Sequence, residues 1–106
     1  QDLTNKTFTG YTETTYNLAG TDIAVANGSI QTKTLSANTT FTESLSDGQS
    51  VILGITAGAY SITWPSVTWA KVGGSGVSPT LTSTGVNWIV LWQVGSVVRG
   101  AFLGTA

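Results

Sequence analysis

An all-β domain is predicted by this sequence: an antiparallel β-sandwich of the jelly-roll type, with about seven to eight strands. Apolar and polar residues alternate with a period of two over most of the chain, which is typical of half-buried strands. Only 8% of the 106 residues are charged, whereas the chain has 19 threonines and 11 serines. Hydroxyl side chains therefore take most of the solvent-facing positions, and this composition favours strands over helices.

The first 27 residues are predicted to form an extended arm, and residues 28–106 the sandwich. Apolar residues within 1–27 hold no register, so the arm should contain one or two short strands at most. We expect any order in the arm to come from packing on the domain or on a neighbouring chain. The chain contains no methionine and opens with the polar segment Leu3-Thr4-Asn5-Lys6-Thr7. We therefore expect it to be processed or excised from a longer protein, with this segment as a connector.

The strands of the sandwich follow from alternation and turn residues. The segment 50–55 is almost continuously apolar, so we expect it to be covered on both faces. Pro65 lacks a backbone donor and should end the strand before it. Gly95-Ser96 is a two-residue hairpin turn with glycine first. The predicted strands cover 28–35, 40–42, 50–55, 60–64, 67–69, 86–94 and 97–103, and 72–79 is a surface loop.

Charge and composition exclude several classes of partner. The net charge is −1 and there is no basic cluster, so the electrostatic attraction that nucleic acids and anionic membranes require is missing. The longest apolar run, 88–92, is far shorter than the roughly 20 residues of a membrane helix. Cysteine is absent, so oligomerisation would have to replace disulfides in stabilising a small extracellular domain. We expect neither nucleic-acid binding nor membrane insertion.

No catalytic constellation is visible. The chain has no histidine and no cysteine, so its serines have no base of the usual type. Glu43 and Asp47 could approach a calcium ion across a turn, but oxygen cages normally need more carboxylates, and two solvated polar residues are the preferred interpretation. The glycine run at 73–76 lacks the lysine of a phosphate loop. We expect no enzyme activity, no cofactor and no metal site.

The four tryptophans are the residues that carry a possible function. Trp88 and Trp92 share one strand face, and the opposite face of that strand is also apolar, which makes a core position or a subunit interface the preferred role. Trp64 and Trp69 flank a turn, where rings can stack on the face of a sugar. With Lys71 as a nearby donor, these two are the candidate ligand-binding residues, although packing is the preferred role for them too.

Several sequence blocks resemble a known family. In order, they are Gly28-Ser29-Ile30-Gln31-Thr32, Leu45-Ser46-Asp47-Gly48-Gln49-Ser50, Ile62-Thr63-Trp64-Pro65, Val67-Thr68-Trp69, Gly73-Gly74, Pro79-Thr80-Leu81 and Leu91-Trp92-Gln93-Val94-Gly95. This series resembles the terminal module of tail-fibre and related structural proteins of marine, often cyanobacterial, bacteriophages. The opening segment 3–7 is similar to the connector repeats of phage fibres.

The resemblance implies a virion protein near the C-terminus of a fibre, usually a homotrimer that contacts other virion proteins and the host surface. Lys71 and Arg99 depart from the small or apolar residues of the family pattern, so we expect a specialised surface there. A second class of function stays open, namely a monomeric carbohydrate-binding module of a secreted protein with Trp64 and Trp69 as its platform. A capsid decoration protein is a further alternative.

Overall fold

The computed structural model of the chain describes residues 4–71 and 76–106. The described residues form ten strands, and no helix among them is long and apolar enough to cross a membrane. The all-β, sandwich-like fold is thereby confirmed. The strands are β1 (Thr15–Asn17), β2 (Asp22–Ile23), β3 (Ile30–Thr34), β4 (Thr39–Thr40), β5 (Thr42–Glu43), β6 (Ser50–Thr56), β7 (Ile62–Thr63), β8 (Thr68–Trp69), β9 (Asn87–Val94) and β10 (Val97–Thr105).

Six strands form the main sheet, in the order β1-β3-β6-β9-β10-β8, while β2 pairs with β5 and β4 pairs with β7. Five of the seven pairings are parallel, and only β6–β9 and β9–β10 are antiparallel. The prediction of a purely antiparallel sandwich was therefore wrong in strand direction. The physical reason is that the turn residues at 36–38 and 46–48 do not close hairpins. They carry the chain between the main sheet and the short strand pairs.

The parallel pairings give the first part of the chain a coiled course. Ile30 lies beside Ile52 in the main sheet, and Asp22 lies beside Thr42 in a short pair, so the chain returns to a neighbouring position after about 20 residues. A parallel pair needs such a crossover, because a two-residue turn can join only antiparallel strands. The antiparallel pair β9–β10 then closes one side of this coil.

One hydrophobic core lies between the main sheet and the short pairs. Alternate residues of β6 and β9 point inward, as the burial pattern of both strands shows. The opposite side of the core is supplied by residues in and beside the short strands. The buried apolar residues are Leu18, Ile23, Leu35, Phe41, Leu45, Val51, Leu53, Ile55, Ala57, Ile89, Leu91 and Val98.

Part of the predicted arm belongs to these layers. Strand β1 pairs with β3 and β2 pairs with β5, and Leu18 and Ile23 are buried in the core. Residues 4–15, in contrast, are exposed throughout. The chain therefore joins the sheets from Thr15 onward, within the segment that the sequence assigns to the arm.

The β9–β10 hairpin around Gly95-Ser96 is confirmed, with Val94 opposite Val97. Gly95 has a positive φ of 65°, a conformation that glycine adopts without steric cost. Asp47 holds the turn, because its Oδ1 accepts a hydrogen bond of 2.7 Å from the backbone N–H of Gly95. The turn at 46–48, which joins β5 to β6, therefore supports the β9–β10 hairpin instead of closing one of its own.

Candidate functional site

Trp64 and Trp69 lie together and extend the aromatic packing of the core to the surface. Trp64 stacks on Phe41, with ring centroids 5.6 Å apart and planes at 26°. Trp69 meets Trp64 edge to face, with centroids 5.4 Å apart. Since Phe41 is only 1% exposed, these contacts anchor both tryptophans to the core, where such aromatic pairs are worth about 0.5–1.5 kcal/mol beyond the area they bury.

Local sequence explains how the two rings are positioned. Strand β7 ends just before Trp64, and Pro65 follows it without a backbone donor. Trp69 lies in β8, opposite Gly100 of β10. A Cβ on Gly100 would be 2.7 Å from Cζ3 of Trp69 and 2.8 Å from Cδ2 of Leu91, so only glycine leaves room for the indole against the sheet.

The exposed sides of these rings line two adjoining depressions, which we call the aromatic groove. Tyr60, 42% exposed, lines the first of them. The first depression has a volume of about 220 Å³. The residues that line the two depressions are Tyr60, Ser61, Ile62, Thr63, Trp64, Pro65, Trp69, Gly76, Val77, Ser78, Pro79 and Leu81.

The aromatic groove is neutral and combines rings with hydroxyl groups. Among the described residues, no carboxylate, amine or guanidinium lines it. Such a surface suits an uncharged ligand that stacks on a ring and forms hydrogen bonds with Ser61 or Ser78.

Of the three residues predicted from the sequence to bind a ligand, two line the aromatic groove. Trp64 and Trp69 share the groove. Lys71 follows the end of β8, is exposed, and lies beside Gly76 of the groove wall without lining the depressions itself. Of the predicted loop 72–79, residues 72–75 lie outside the described part of the chain. Ser78 and Pro79 of that loop line the groove, whereas Leu81 was not predicted as a groove residue, because no local pattern indicates that it packs beside β7.

The carboxylates have structural partners. Oε2 of Glu43 accepts a hydrogen bond of 2.8 Å from the backbone N–H of Leu45. Asp22 accepts hydrogen bonds of 2.8 Å from the hydroxyls of Thr42 and Ser44. Among residues 4–71 and 76–106, no group of three or more potential ligands lies close enough to hold a metal ion. These contacts tie strands and turns together.

Trp88 and Trp92 lie on the side of the main sheet that faces away from the core. In β9, Asn87, Ile89 and Leu91 are buried, and the residues between them are partly exposed, so the two tryptophans share a face as predicted. We call this side the outer face. Across the strands, its central row consists of Ile30, Ile52, Val90 and Ala101.

The central row of the outer face is apolar, and no other described part of the chain covers it fully. Ile52 is 37% exposed, so the expectation that β6 is covered on both faces was wrong for the single chain. The reason is that the short strand pairs pack on one side of the main sheet only.

Comparisons with known proteins identify no relative of this chain. Neither a scan against protein-family models nor searches of curated proteins and solved structures gave a match.

Proposed function

We propose that this chain is a structural, non-catalytic domain of a phage virion: the terminal module of a homotrimeric tail fibre that also contacts the host surface. The resemblance of the ordered sequence blocks supports the family, and the apolar outer face supports assembly. The partly exposed row of Ile30, Ile52 and Val90 is the observation that carries the proposal, because contiguous apolar patches at the surface of a protein often mark interaction sites.

Subunit contact is the role that best fits the corner of the outer face around Trp92. Trp92 lies between Ser50 and Arg99 in one cross-strand row, next to the row that contains Val90. A large ring beside aliphatic side chains and an arginine is a typical composition for the centre of an interface. Closed symmetry then limits the assembly to a defined number of copies, and the family resemblance implies three.

The mass of the particle in solution tests this proposal. Size-exclusion chromatography with light scattering should give about three chains per particle, as closed symmetry and the resemblance imply. Val90→Lys should reduce the mass to that of one chain, since it places a charge in the contact. Val77→Lys is the matched control, because Val77 is exposed in the aromatic groove, away from the outer face. A monomeric wild-type chain would contradict the proposal.

Host-surface recognition is assigned to the aromatic groove. Tyr60 is the best residue for a test, because it belongs to the groove wall but not to the core cluster. Tyr60→Ala should reduce binding to an array of bacterial surface polysaccharides while the melting temperature stays close to that of the wild type. Phe41→Leu is the contrasting change: it alters the core behind the groove, so it should lower the melting temperature. Unchanged array binding by Tyr60→Ala would argue against the groove as a recognition site.

The aromatic groove also favours a second candidate function, a monomeric carbohydrate-binding module of a secreted protein. A capsid decoration protein is a variant of the structural role. The particle mass separates the carbohydrate-binding module from the fibre module, because a carbohydrate-binding monomer needs no partner on the outer face. Electron microscopy of intact particles labelled with an antibody to the chain would separate a fibre tip from a capsid surface.

A further inference from the structure

A second depression lies on the outer face, at the corner diagonally opposite Trp92. It is centred on one cross-strand row in which Trp88 lies opposite Gly54, Gly54 opposite Thr32, and Thr32 opposite Asn17. The neighbouring row adds Thr34 and Thr56, which are also paired. We call this depression, of about 320 Å³, the Trp88 cleft; Lys33 and Val86 complete its lining.

The floor of the Trp88 cleft is an indole lying over a glycine. A Cβ on Gly54 would be 2.5 Å from Cζ3, 2.6 Å from Cη2 and 3.0 Å from Cε3 of Trp88. The six-membered ring therefore occupies the space that any other side chain at this position would fill. Trp88 remains partly exposed, so part of its ring system faces the cleft.

The walls carry polar groups that the fold does not use. Thr39, Thr42 and Thr82 form hydrogen bonds through their hydroxyls. Within the part of the chain that the structure describes, no side-chain hydrogen bond involves Thr32, Thr34 or Thr56, and the same holds for the amide of Asn17. Three hydroxyls and one amide are thus available around one aromatic ring, and each of these groups can both donate and accept.

The charge of the cleft points to an uncharged ligand. No carboxylate lines it. The amino group of Lys33 donates hydrogen bonds to the carbonyl oxygens of Leu18 at 3.1 Å and Ala19 at 3.4 Å. Its charge is therefore held by backbone carbonyls. The volume is at the lower end of the roughly 300–1,000 Å³ of small-molecule sites.

We propose that the Trp88 cleft binds a neutral saccharide. The C–H face of a pyranose ring packs on the indole, whose π face is electron-rich. The hydroxyls at the edge of the same sugar exchange hydrogen bonds with Thr32, Thr34, Thr56 and Asn17. This site is separate from the aromatic groove and adjoins the row of Ile30, Ile52 and Val90 that the fibre proposal assigns to subunit contact. The inference rests on the lining of the cleft and not on the fibre proposal.

The cleft has a competing structural explanation, in which Trp88 merely covers Gly54 in the sheet. Substitution of Trp88 alone would not separate the two explanations, because it removes both the packing over Gly54 and the ring on which a sugar would pack. The threonines do separate them: Thr→Val keeps the shape and the strand preference but removes the hydroxyl. Loss of these hydroxyls should change binding only if a saccharide forms hydrogen bonds with them.

The test is a nuclear magnetic resonance titration of the full chain with methyl glycosides of glucose, galactose, mannose, rhamnose, N-acetylglucosamine and N-acetylgalactosamine. Each tryptophan gives an indole N–H signal, and Trp88→Phe identifies the signal of interest by its loss. At least one glycoside should shift this signal saturably. Thr32→Val and Thr56→Val should each weaken that binding roughly 2- to 10-fold, the factor that corresponds to one hydrogen bond.

Thr40→Val is the matched control, because Thr40 is an exposed strand residue on the other side of the fold; it should leave the affinity unchanged. A panel in which no glycoside shifts the Trp88 signal would overturn the inference, and so would equal affinities for the wild type and both cleft variants. Shifts confined to the Trp64 and Trp69 signals would also overturn it. The particle mass, measured on the same samples, reports on the fibre proposal separately.

Discussion

Replacement of Asn87 by Asp should destabilise the domain in a pH-dependent way. Asn87 is completely buried, and its Nδ2 donates hydrogen bonds to the carbonyl oxygens of Ile55 at 3.2 Å and Thr82 at 3.1 Å. Its Oδ1 accepts from the backbone N–H of Thr82 at 2.9 Å, and from the hydroxyls of Thr82 and Thr105 at 3.2 Å each. One amide therefore connects β6, β9, β10 and the segment before β9.

The size of the destabilisation follows from the hydrogen-bond partners of Asn87. Asn87→Asp keeps the acceptor but loses both donated bonds when the carboxyl is ionised, and it buries a charge that faces two carbonyl oxygens. An uncompensated buried charge costs about 3–5 kcal/mol. A protonated carboxyl regains one donor and leaves one carbonyl unpaired, which costs about 1–3 kcal/mol. Since a domain of this length is stable by roughly 5–15 kcal/mol, the loss at neutral pH is a large fraction of the total.

The sign of the pH dependence is also defined. Burial and the two carbonyls raise the pKa of the introduced carboxyl above its unfolded value of about 3.9. Below that unfolded value the carboxyl is protonated in both states, and the destabilisation is smallest. As the pH rises toward the raised pKa of the folded state, the unfolded state ionises first, so the destabilisation increases.

Urea unfolding followed by tryptophan fluorescence, at pH values from about 4 to 7, measures this difference between variant and wild type. Asn38→Asp is the matched control, because the Oδ1 of Asn38 accepts a hydrogen bond of 3.0 Å from the N–H of Ser61 and the residue is exposed. It should remain within about 0.5 kcal/mol of wild type, as surface changes usually do. A free-energy difference for Asn87→Asp that is independent of pH would refute the reasoning.

Two further predictions concern the N-terminal segment and the glycine beneath Trp69. A chain limited to 28–106 should lose cooperative unfolding in urea, because it lacks Ile23, which is completely buried; a sharp transition with unchanged midpoint would show that the arm is dispensable. Gly100→Ala should lower stability by about 1–3 kcal/mol, as overpacking does, because the new methyl group meets the ring of Trp69. Gly20→Ala, which meets no atom within 4 Å, is the control, and equal melting temperatures for the two variants would contradict the packing argument.

Local chemistry was sufficient to predict the longer strands and one hairpin, whereas the predicted strand 40–42 is divided between β4 and β5, which belong to different sheets. The alternation of 86–94 and 97–103 with Gly95-Ser96 between them specifies both strands and their turn, because every interaction involved is close in sequence. The same period places Trp88 and Trp92 on one face. Absence of a histidine and a cysteine likewise narrows the chemistry that the chain can perform, whatever its fold.

Strand partners and exposure were decided only by the tertiary structure. Ile30 lies beside Ile52 in a parallel pair, and the turn residues between them are equally compatible with antiparallel hairpins, so no local pattern selects the pairing. Periodicity assigns residues to two faces but does not say which face is covered. Trp64 packs on Phe41 while Trp92 is left on the outer face, because the position of the short strand pairs, a property of the whole chain, determines where the core lies.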